Sequence, residues 1–578
     1  MNDIRRSILW VVFGLSMVLI WDKWQIHNGQ QPTFFPGAAP VAAPAAGTAT
    51  SPVADASLPA ATATPGPTTG TAAVGEAPGG APTAVAQRHM VTTDVLKLTF
   101  NSEGGSLIGA DLLEHAAATR SSKDQSEQPF TLLTQNGSSI YLAQSGLIGG
   151  SFPTHKTPMT LASGPVSLAD GQDELQVRFE SAEVGGVQLI KTYTLKRGHY
   201  DIAVQHEVRN NTGQSVSPQL YLQLVRDGSK LASDTPFYST FTGPAVYSEE
   251  NKFQKVEFED IEKNKASFQK NSSDGYVAMV QHYFATAWVL DAGVARENFA
   301  RRIDNNLYAV GAITALPALE PGQSLNQQAV LFVGPQDEKV LETIAPGLEL
   351  VKDYGWLTIL AKPLYWLMEK IHGFVGNWGW SIVLLVVLIK ASFYWLNASA
   401  YRSMAKMKKI NPRIMEMRER LKGNPQAMQQ EMMKMYREEK VNPLGGCFPI
   451  LIQIPVFIAL YWVLLSSVEM RNAPWMAWIT DLSSPDPFFI LPLVMAATTM
   501  IQTALNPLPP DPLQAKLMWM MPLMFSVMFF FFPAGLVLYW ITNNVLTIAQ
   551  QAHINHRMGV PLKFTLPFDL FKGNTPAK

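Results

Sequence analysis

Apolar segments of membrane-spanning length are the feature that most constrains what this chain folds into. Five of them follow one another in the C-terminal part, near 375–398, 445–467, 486–505, 515–532 and 534–552. Each approaches the ~20 residues that an α-helix needs to cross ~30 Å of hydrocarbon. Because backbone polar groups find no water partner in hydrocarbon, such segments have to close their hydrogen bonds internally. The pattern predicts a polytopic α-helical membrane core.

A further apolar segment lies at the N-terminus, from Ser7 to Trp21, directly after Arg5 and Arg6. This arrangement is typical of either a secretory signal peptide or an uncleaved membrane anchor. We favour an anchor over residues 1–27, because no small-residue cleavage site follows at once. In both cases the next region leaves the cytoplasm, and an anchor brings the predicted number of spans to six.

The next region, 28–89, is dominated by Ala, Pro, Thr, Gly, Ser and Val. A segment of this composition cannot bury enough apolar surface to offset the entropy lost on ordering. The sequence therefore predicts a flexible, partly extended linker.

Residues 90–344 change to short β-rich stretches separated by turn clusters such as Arg209-Asn210-Asn211-Thr212-Gly213. The clearest stretches are Val95–Phe100, Leu175–Phe179, Val187–Leu195, Tyr200–Val208 and Leu220–Val225. Strands at this spacing, without helical patterns between them, predict an all-β sandwich domain. Cys447 is the only cysteine, so no intrachain disulfide and no cysteine-based metal cluster is possible.

Residues 345–373 return to a helical period, with Trp356 and Trp366 among apolar residues and Lys352 and Lys362 between them. Aromatic anchors on an amphipathic helix favour a helix that lies in the membrane interface. The alternative is an ordinary surface helix of the β-domain.

Basic residues predict the orientation, because Lys and Arg concentrate on the cytoplasmic side of a membrane protein. The loop 468–485 contains only Arg471. In contrast, the segment 399–444 contains eleven basic residues: Arg402, Lys406, Lys408, Lys409, Arg413, Arg418, Arg420, Lys422, Lys434, Arg437 and Lys440. We expect this segment, both termini and the tail 556–578 in the cytoplasm, and the β-domain outside it.

The segment 399–440 has helical periodicity with a break at Gly423-Asn424-Pro425, which predicts a cytoplasmic helical hairpin. Its methionines include Met404, Met407, Met415, Met417, Met432 and Met435. Flexible thioethers suit promiscuous apolar contacts with a partner. Packing between the two hairpin helices explains the same residues equally well.

Lys390 is the sharpest functional candidate, because it interrupts the apolar run Ile382–Ile389 inside a predicted span. A charge in mid-membrane costs ~2.5–3.5 kcal/mol on insertion scales. We therefore expect Lys390 to face a water-filled groove, since no carboxylate lies well inside another span. The alternative is that the side chain reaches out to the cytoplasmic surface.

Other polar side chains in the predicted spans are candidates to line the same groove. Individually, such groups most often form hydrogen bonds between helices. Together they would form a hydrophilic surface inside the membrane: Asn397, Gln453, Thr498, Thr499, Gln502, Ser526, Thr542, Asn543, Asn544, Thr547 and Gln550.

Sequence motifs for nucleotide or metal chemistry are absent. The chain contains neither G-x-x-x-x-G-K-[ST] nor H-E-x-x-H nor G-x-S-x-G, so we expect no cofactor, no metal and no chemical active site. Two other classes of protein remain open at this point. One is a transporter or channel with a ligand-binding β-domain, and the other is a membrane-anchored carbohydrate-active enzyme, which would need a carboxylate pair in a cleft.

The C-terminal half also resembles a known family. The motifs are Val441–Phe457, Asp486-Pro487 with Ile490-Leu491-Pro492, Asp511-Pro512 and Phe532–Trp540. They are similar to those of the YidC/Oxa/Alb family of membrane insertases, over about residues 345–555. The region that begins with Thr93-Asp94-Val95-Leu96 and Gly104-Gly105 resembles more loosely the periplasmic domain of Gram-negative members.

This resemblance implies a function in the bacterial inner membrane. Family members move hydrophobic segments of nascent membrane proteins sideways into the bilayer, from a groove open to cytoplasm and lipid. The resemblance places Lys390 at the groove's basic position, where arginine is more familiar, and places Tyr539 and Trp540 on the groove wall. It further implies the Sec translocon, the ribosome, the signal recognition particle receptor and membrane lipids as partners, without nucleic-acid specificity. The tail carries only Arg557, Lys563, Lys572 and Lys578 for ribosome contact.

Overall fold

The structure is a computed structural model. It describes residues 56–61, 86–117, 128–137, 139–162, 164–231, 240–421, 423–439, 448–506 and 512–560. Apart from Ala56 and Leu231, they belong to one compact unit, formed by Ser57–Lys230 with Thr240–Lys578. The predicted anchor 1–27, Cys447 and the tail beyond 560 lie outside the described residues.

Two nine-stranded antiparallel sheets form the first part of the unit. In chain order the strands are β1 (Arg88–Thr92), β2 (Leu96–Asn101), β3 (Ser106–Ala116), β4 (Pro129–Gln135), β5 (Ile140–Ile148), β6 (Met159–Leu161), β7 (Glu174–Ser181), β8 (Val187–Lys196), β9 (Asp201–Asn210), β10 (Gln219–Asp227), β11 (Gly243–Ser248), β12 (Lys252–Lys255), β13 (Asn271–Ser272), β14 (Tyr276–Gln281), β15 (Phe284–Leu290), β16 (Arg296–Asp304), β17 (Leu307–Ala315) and β18 (Ser324–Pro335). The first sheet has the order β1-β2-β3-β4-β5-β10-β17-β16-β13, and the second has the order β12-β11-β14-β15-β18-β9-β8-β7-β6. Two short helices, α1 (Phe258–Glu262) and α2 (Glu338–Ile344), complete this part.

The predicted all-β sandwich is confirmed, and the five β-rich stretches lie within one residue of β2, β7, β8, β9 and β10. Strand β9 shows the alternation of a strand with one buried face, because every second residue from Ile202 to Asn210 is buried. The register of β8 with β9 pairs Leu195 with Ile202 and Leu189 with Val208. Because a slip of one residue would turn these side chains to the other face, the alternation fixes the register.

The interior of the sandwich also encloses a charged side chain. Lys191 on β8 is 0% exposed, and its Nζ donates to the carbonyl oxygens of Gly104 and Ser145, at 2.7 Å each. Next to it, the Ser145 hydroxyl lies 2.9 Å from His206 Nε2. Burial lowers the pKa of Lys191 to about 7. Burial, together with the nearby Lys191, lowers the pKa of His206 to about 3.

The C-terminal boundary of the sandwich differs from the predicted one. We expected a single helix over 345–373, but two short 3-10 segments come first, Leu348–Val351 and Gly355–Leu357. Gly347 and Gly355 adopt positive φ, at 78° and 67°, and interrupt the helical period. Leu348 and Val351 are buried in the core of the sandwich, which therefore extends beyond residue 344.

Eight longer helices form the second part of the unit. They are α3 (Thr358–Val375), α4 (Trp378–Ser392), α5 (Tyr394–Arg420), α6 (Pro425–Glu438), α7 (Phe448–Ser466), α8 (Ile490–Leu505), α9 (Pro512–Met528) and α10 (Ala534–Arg557), with 3-10 turns at Val468–Met470 and Phe529–Phe531. Helix α10 packs against α8, α4, α5 and α7, and α3 packs against α7 and α4.

The span predicted at 375–398 is bent in the structure. Helices α4 and α5 meet at Phe393 with an angle of 69° between them, and Phe393 itself lies in the bridge region with φ −90° and ψ 12°. Together these two helices pass a test of length and hydropathy for membrane spans, while no single described helix does. No local sequence signal predicts this bend, because neither proline nor glycine lies between Lys390 and Asn397.

The span predicted at 486–505 begins four residues later, at Ile490. Buried Asp486 explains the delay: its Oδ1 accepts from the Phe488 amide and its Oδ2 from the Leu491 amide, at 3.0 and 2.7 Å. Trp478 Nε1 donates to the same carboxylate at 3.0 Å. Asp486 therefore belongs to the turn before α8, where its carboxylate accepts from the first-turn amide of Leu491, and the N-cap residue of the helix is Phe489.

The sandwich and the helices meet around Glu469, in the turn after α7. Lys352 Nζ lies 3.2 Å from Glu469 Oε1 and 3.9 Å from the ring centroid of Tyr365 on α3. The Tyr365 hydroxyl donates to the same carboxylate oxygen at 2.5 Å. Arg471, the only basic residue of the loop 468–485, donates to the Ala117 carbonyl at 3.1 Å. A buried charge is tolerated when it is paired in this way, so this junction fixes α3 and α7 against the sandwich.

We predict that the sandwich becomes more stable as the pH rises above 7. Lysine has a pKa of ~10.4 in an unfolded chain, so between the two pKa values the unfolded state binds more protons than the folded state. The free energy of unfolding then increases with pH, by up to about 1.4 kcal/mol per pH unit. Below pH 7 the folded state holds Lys191 charged, and the full cost of this buried charge lowers the stability. Hydrogen-exchange protection of β8 and β9, corrected for intrinsic rates, measures this slope.

Lys191→Met should flatten the slope above pH 7, because the variant has no proton to gain at this position. Lys196→Met, at the exposed end of the same strand, is the matched control and should keep the slope. Equal slopes in the Lys191→Met variant and the unmodified chain would contradict the assignment.

Candidate functional site

A polar stretch on α10 connects the helical core. Residues 543–551 contain five polar side chains, Asn543, Asn544, Thr547, Gln550 and Gln551, on a helix that begins almost entirely apolar. Their hydrogen bonds reach α7, α8, α4 and α5 in turn. Hydrogen bonds between apolar helices fix their relative position, so this stretch is the structural centre of the site.

Lys390 is the charged group of the site and lies in the last turn of α4. Its side chain is buried, with the residue 7% exposed, and its Nζ donates to the Thr547 hydroxyl at 2.8 Å. We expected Lys390 to face water, but the structure gives it a hydroxyl partner on α10 instead. Among the described residues no carboxylate forms an ion pair with it. The site therefore holds a buried cation whose polar contact is a neutral oxygen.

Two further bridges hold α7 and α8 to α10. Gln453 Nε2 on α7 donates to Asn543 Oδ1 at 3.3 Å. The Asn544 Nδ2 group donates to the hydroxyls of Thr499 at 2.9 Å and Thr498 at 3.2 Å on α8. Five of the predicted groove residues thus take part in bonds between helices: Gln453, Thr498, Thr499, Asn543 and Asn544.

The C-terminal half of the polar stretch binds backbone groups at the ends of two helices. Gln550 Nε2 donates to the Tyr394 carbonyl at 3.3 Å, at the start of α5. Gln551 Nε2 donates to the Leu505 carbonyl at 3.3 Å and to Asn506 Oδ1 at 3.2 Å, at the end of α8. The Gln551 contact satisfies the Leu505 carbonyl, which lies at the C-terminal end of α8 and has no helical partner. The Gln550 contact joins α10 to the first turn of α5.

The aromatic residues predicted from the family resemblance lie one to two turns before the polar stretch. Phe457 on α7 stacks on Tyr539 at 5.7 Å between ring centroids and meets the edge of Trp540 at 4.6 Å. Phe529 lies 4.9 Å from Trp540 on another side. Tyr539 is buried and Trp540 half-buried, so they form an aromatic wall beside the polar side chains.

Two further candidates are placed differently. Asn397 lies on α5, just after the bend, and is buried; its Nδ2 has no hydrogen-bond partner in the described part of the chain. Gln502 is half-buried on α8, one turn from Thr499. The structure records no bond that ties either of them to the Lys390 contact.

The methionines of the predicted hairpin favour packing over partner contact at most positions. Helices α5 and α6 are separated at Gly423-Asn424-Pro425 as predicted, and the Asn424 side chain caps α6. Buried Ile410, Ile414 and Met417 form a small core there. Met407, Met428, Met432 and Met435 pack against this core. Met404 is half-buried, whereas Met415 is exposed and remains available for contacts outside the hairpin.

Gln551 is the residue of the polar stretch that the sequence analysis did not name. It is buried like Asn544 and Thr547, and the three follow a helical spacing of three and four residues along α10. Buried Asn555 continues the same line. A polar stripe with helical period on a predicted span was therefore the signal that could have identified Gln551. The described residues contain no group of three or more His, Cys, Asp or Glu side chains that could hold a metal ion.

Comparisons with known proteins define the class. The family described as YidC periplasmic domain matches residues 88–367, which contain the sandwich and the start of α3. The family described as 60Kd inner membrane protein matches residues 370–560, which contain α4 to α10. The chain is therefore an inner membrane protein with a periplasmic β-domain and a helical insertase core.

Relatives cover almost the whole chain. A "Membrane protein insertase YidC" from Cupriavidus metallidurans is 54% identical over 562 residues, covering 96% of this chain and 98% of the relative. A protein of the same name from Ralstonia nicotianae is 52% identical over 565 residues, covering 97% and 99%. The chain belongs to the YidC family of membrane protein insertases. An active YidC insertase crystal structure aligns over 80% of this chain and 91% of its own, with 20% identity and a TM-score of 0.36.

We predict that Thr547→Val lowers insertion activity roughly 2- to 10-fold, which corresponds to a hydrogen bond of about 0.5–1.5 kcal/mol. The valine keeps the size of the side chain but removes the oxygen that holds Lys390. The effect is measured as the insertion of a small membrane protein into liposomes that contain the reconstituted chain. Thr542→Val is the matched control, because the Thr542 hydroxyl donates only to the Leu538 carbonyl of its own helix. Equal activity of the two variants would contradict a role for the Lys390–Thr547 contact.

Proposed function

We propose that the helical core takes hydrophobic segments of nascent inner-membrane proteins from the cytoplasmic side and releases them sideways into the bilayer. The site around Lys390 and the polar stretch of α10 acts as a hydrophilic groove for the hydrophilic part of the substrate. The single observation that carries this proposal is the buried ammonium group of Lys390, held by a neutral hydroxyl from another helix.

A buried cation with a neutral partner attracts a carboxylate. The Coulomb attraction between unit charges 4 Å apart is about 4 kcal/mol at an effective dielectric constant of 20, compared with about 1 kcal/mol in water. An acidic residue in the translocated tail therefore gains on approaching Lys390. The Thr547 hydroxyl gives up its bond to the ammonium group as the carboxylate arrives, and it takes the bond back when the tail moves on.

Lysine at this position favours transient binding. An ammonium group is a point charge with three donors, whereas a guanidinium group binds a carboxylate through two parallel hydrogen bonds. Release is as important as binding for an insertase, because every substrate has to leave the groove. We propose that recognition in this chain is by charge and not by the geometry of a forked contact.

The polar side chains around Lys390 shorten the apolar distance that a tail has to cross. Asn543, Asn544 and Thr547 replace hydrocarbon with hydrogen-bonding groups over more than one turn of α10. Moving a polar group through hydrocarbon without a partner costs several kcal/mol. A stepwise exchange of partners along the groove lowers this barrier without a nucleotide-driven motor.

The proposed topology has six spans, with both termini in the cytoplasm and the sandwich in the periplasm. The basic residues of 399–444, compared with the single Arg471 of 468–485, support this orientation. Helix α3 lies in the membrane interface in this proposal. Its support is the exposure of Trp356, Ile359, Trp366 and Phe374 along and just before the helix, which would be unfavourable in water.

The proposed partners are nascent membrane proteins, the Sec translocon, the ribosome, the signal recognition particle receptor and membrane lipids. Hairpin α5–α6 is the element best suited to meet the ribosome or its receptor. Its exposed faces carry basic residues around Met415, while its buried apolar residues pack inside the hairpin. The chain acts alone or together with Sec, without a chemical reaction step.

We predict that Lys390→Ala impairs insertion of substrates with acidic translocated tails about 10-fold, a loss of about 1.4 kcal/mol of attraction. Neutral-tailed substrates should be affected less, and Lys390→Glu should be worse than Ala on acidic tails because it repels them. Liposomes with a matched pair of substrates, acidic and neutral in the tail, measure the ratio. Lys370→Ala, at an exposed lysine on α3, controls for a general loss of charge. An equal effect on both substrates would contradict charge attraction.

We also predict that most insertion activity survives deletion of the sandwich. The deletion should remove residues 88–351, because Leu348 and Val351 belong to the sandwich core, and should keep Lys352 as the partner of Glu469. Insertion in liposomes should remain at half or more of the full chain's level. A twofold loss corresponds to a free-energy change of less than about 0.5 kcal/mol, the size expected for changes away from a site. An enzyme or receptor that acts through its β-domain would instead lose all function.

A further inference from the structure

A short segment of the Ala/Pro/Thr-rich linker is bound to the sandwich. We expected the linker 28–89 to be flexible throughout, but Arg88 and His89 already belong to β1, and the described residues 56–61 lie on the first sheet. Arg301 on β16 donates from Nη1 to the Leu58 carbonyl at 2.7 Å and from Nη2 to the Ser57 carbonyl at 2.9 Å. The Gln223 amide on β10 donates to the same Ser57 carbonyl at 3.3 Å.

The surface under this segment is apolar. Ile148, Tyr221 and Ile313 form a cluster on neighbouring strands and are only 7%, 0% and 6% exposed. Leu58 packs against this cluster together with Phe299, and Pro59 is buried as well. Outer faces of antiparallel sandwiches are usually polar and solvated. An apolar patch at this position therefore needs a cover, and Leu58 supplies it.

The donors of the patch are held in place by the sheet. Strands β5, β10, β17 and β16 are hydrogen-bonded neighbours in that order. Gln223 Nε2 is also anchored by Gln144 Oε1 at 2.9 Å, and the Arg301 guanidinium lies 5.4 Å from the Phe299 ring centroid. Pre-positioned donors lose little entropy on binding, so these residues form a built site and not a chance contact.

We infer that this patch is a peptide-binding site for a bent Ser-Leu-Pro segment, with Ser57-Leu58-Pro59 of the linker as its resident, exchangeable ligand. The guanidinium group binds the consecutive main-chain carbonyls of Ser57 and Leu58, which the bend at these residues turns towards one donor. The apolar cluster packs against the leucine side chain. The proline has no amide hydrogen that would need a partner.

The docking has a mechanical consequence for the chain. It fixes the linker to the first sheet at Ser57–Pro59. Because the ligand belongs to the same chain, its effective concentration at the patch reaches the millimolar range. A second peptide of the same chemistry binds only when it competes with this internal copy.

The test uses the full chain in detergent and a labelled peptide with the sequence of residues 52–63, PVADASLPAATA. Fluorescence anisotropy measures its binding to the unmodified chain and to a variant with Ser57→Gly, Leu58→Gly and Pro59→Gly, in which the patch is vacated. We expect saturable binding to the vacated variant and binding at least about tenfold weaker to the unmodified chain, because of the internal competitor.

Two controls separate the proposal from nonspecific adsorption. Adding Arg301→Ala to the vacated variant should weaken binding about tenfold or more, because it removes two charge-assisted hydrogen bonds. Adding Arg302→Ala instead should leave binding unchanged, because Arg302 is exposed and bonds to Asp304 and Asn305 of the following turn. A peptide with aspartate in place of leucine should not bind, a readout that does not depend on the folding of any Arg301 variant. Absence of saturable binding to the vacated variant, or equal binding of the leucine and aspartate peptides, would overturn the proposal.

Discussion

The hydrogen bonds of residues 543–551 on α10 are the interaction on which the helical core depends. Apolar helices in a bilayer gain no hydrophobic free energy from meeting each other, because lipid tails are as apolar as leucine. Polar contacts and close packing have to fix their arrangement. In this chain α10 contributes a polar side chain to every one of these bonds, and α4, α5, α7 and α8 each accept or donate at least one of them. The same bonds position Lys390, so architecture and candidate function share one set of residues.

The junction around Glu469 extends this arrangement to the sandwich. The carboxylate follows α7, which contributes Gln453 to the polar stretch, and it binds both Lys352 and Tyr365. His282 of the sandwich lies 2.9 Å from the Leu465 carbonyl in the last turn of the same helix. A movement of α7 during insertion would therefore strain the contact with the sandwich. The sandwich is thus joined to the core through an ion pair and hydrogen bonds around the end of α7.

Local patterns in the sequence predicted the elements well, and long-range contacts explain what was missed. The alternation of Ile202, Val204 and Val208 identified β9, and Gly423-Asn424-Pro425 identified the hairpin turn, because both signals depend on neighbours in the sequence. In contrast, the bend at Phe393, the docked Leu58 and the partner of Lys390 depend on residues far away along the chain. Lys390 and Thr547 are 157 positions apart, and no local signal in the sequence marks their contact. Sequence reasoning identified the charge that needs a partner, but only the fold identifies the partner.

Reconstitution of the purified chain into liposomes tests the central claim most directly. A protein with one or two spans is synthesised beside the liposomes, and protease protection of its translocated segment is compared with that in empty liposomes. The account predicts protection above the empty-liposome level, which falls for an acidic-tailed substrate when Lys390 is replaced by alanine. Protection equal to that of empty liposomes, in a preparation whose sandwich and helices are folded, would contradict the account.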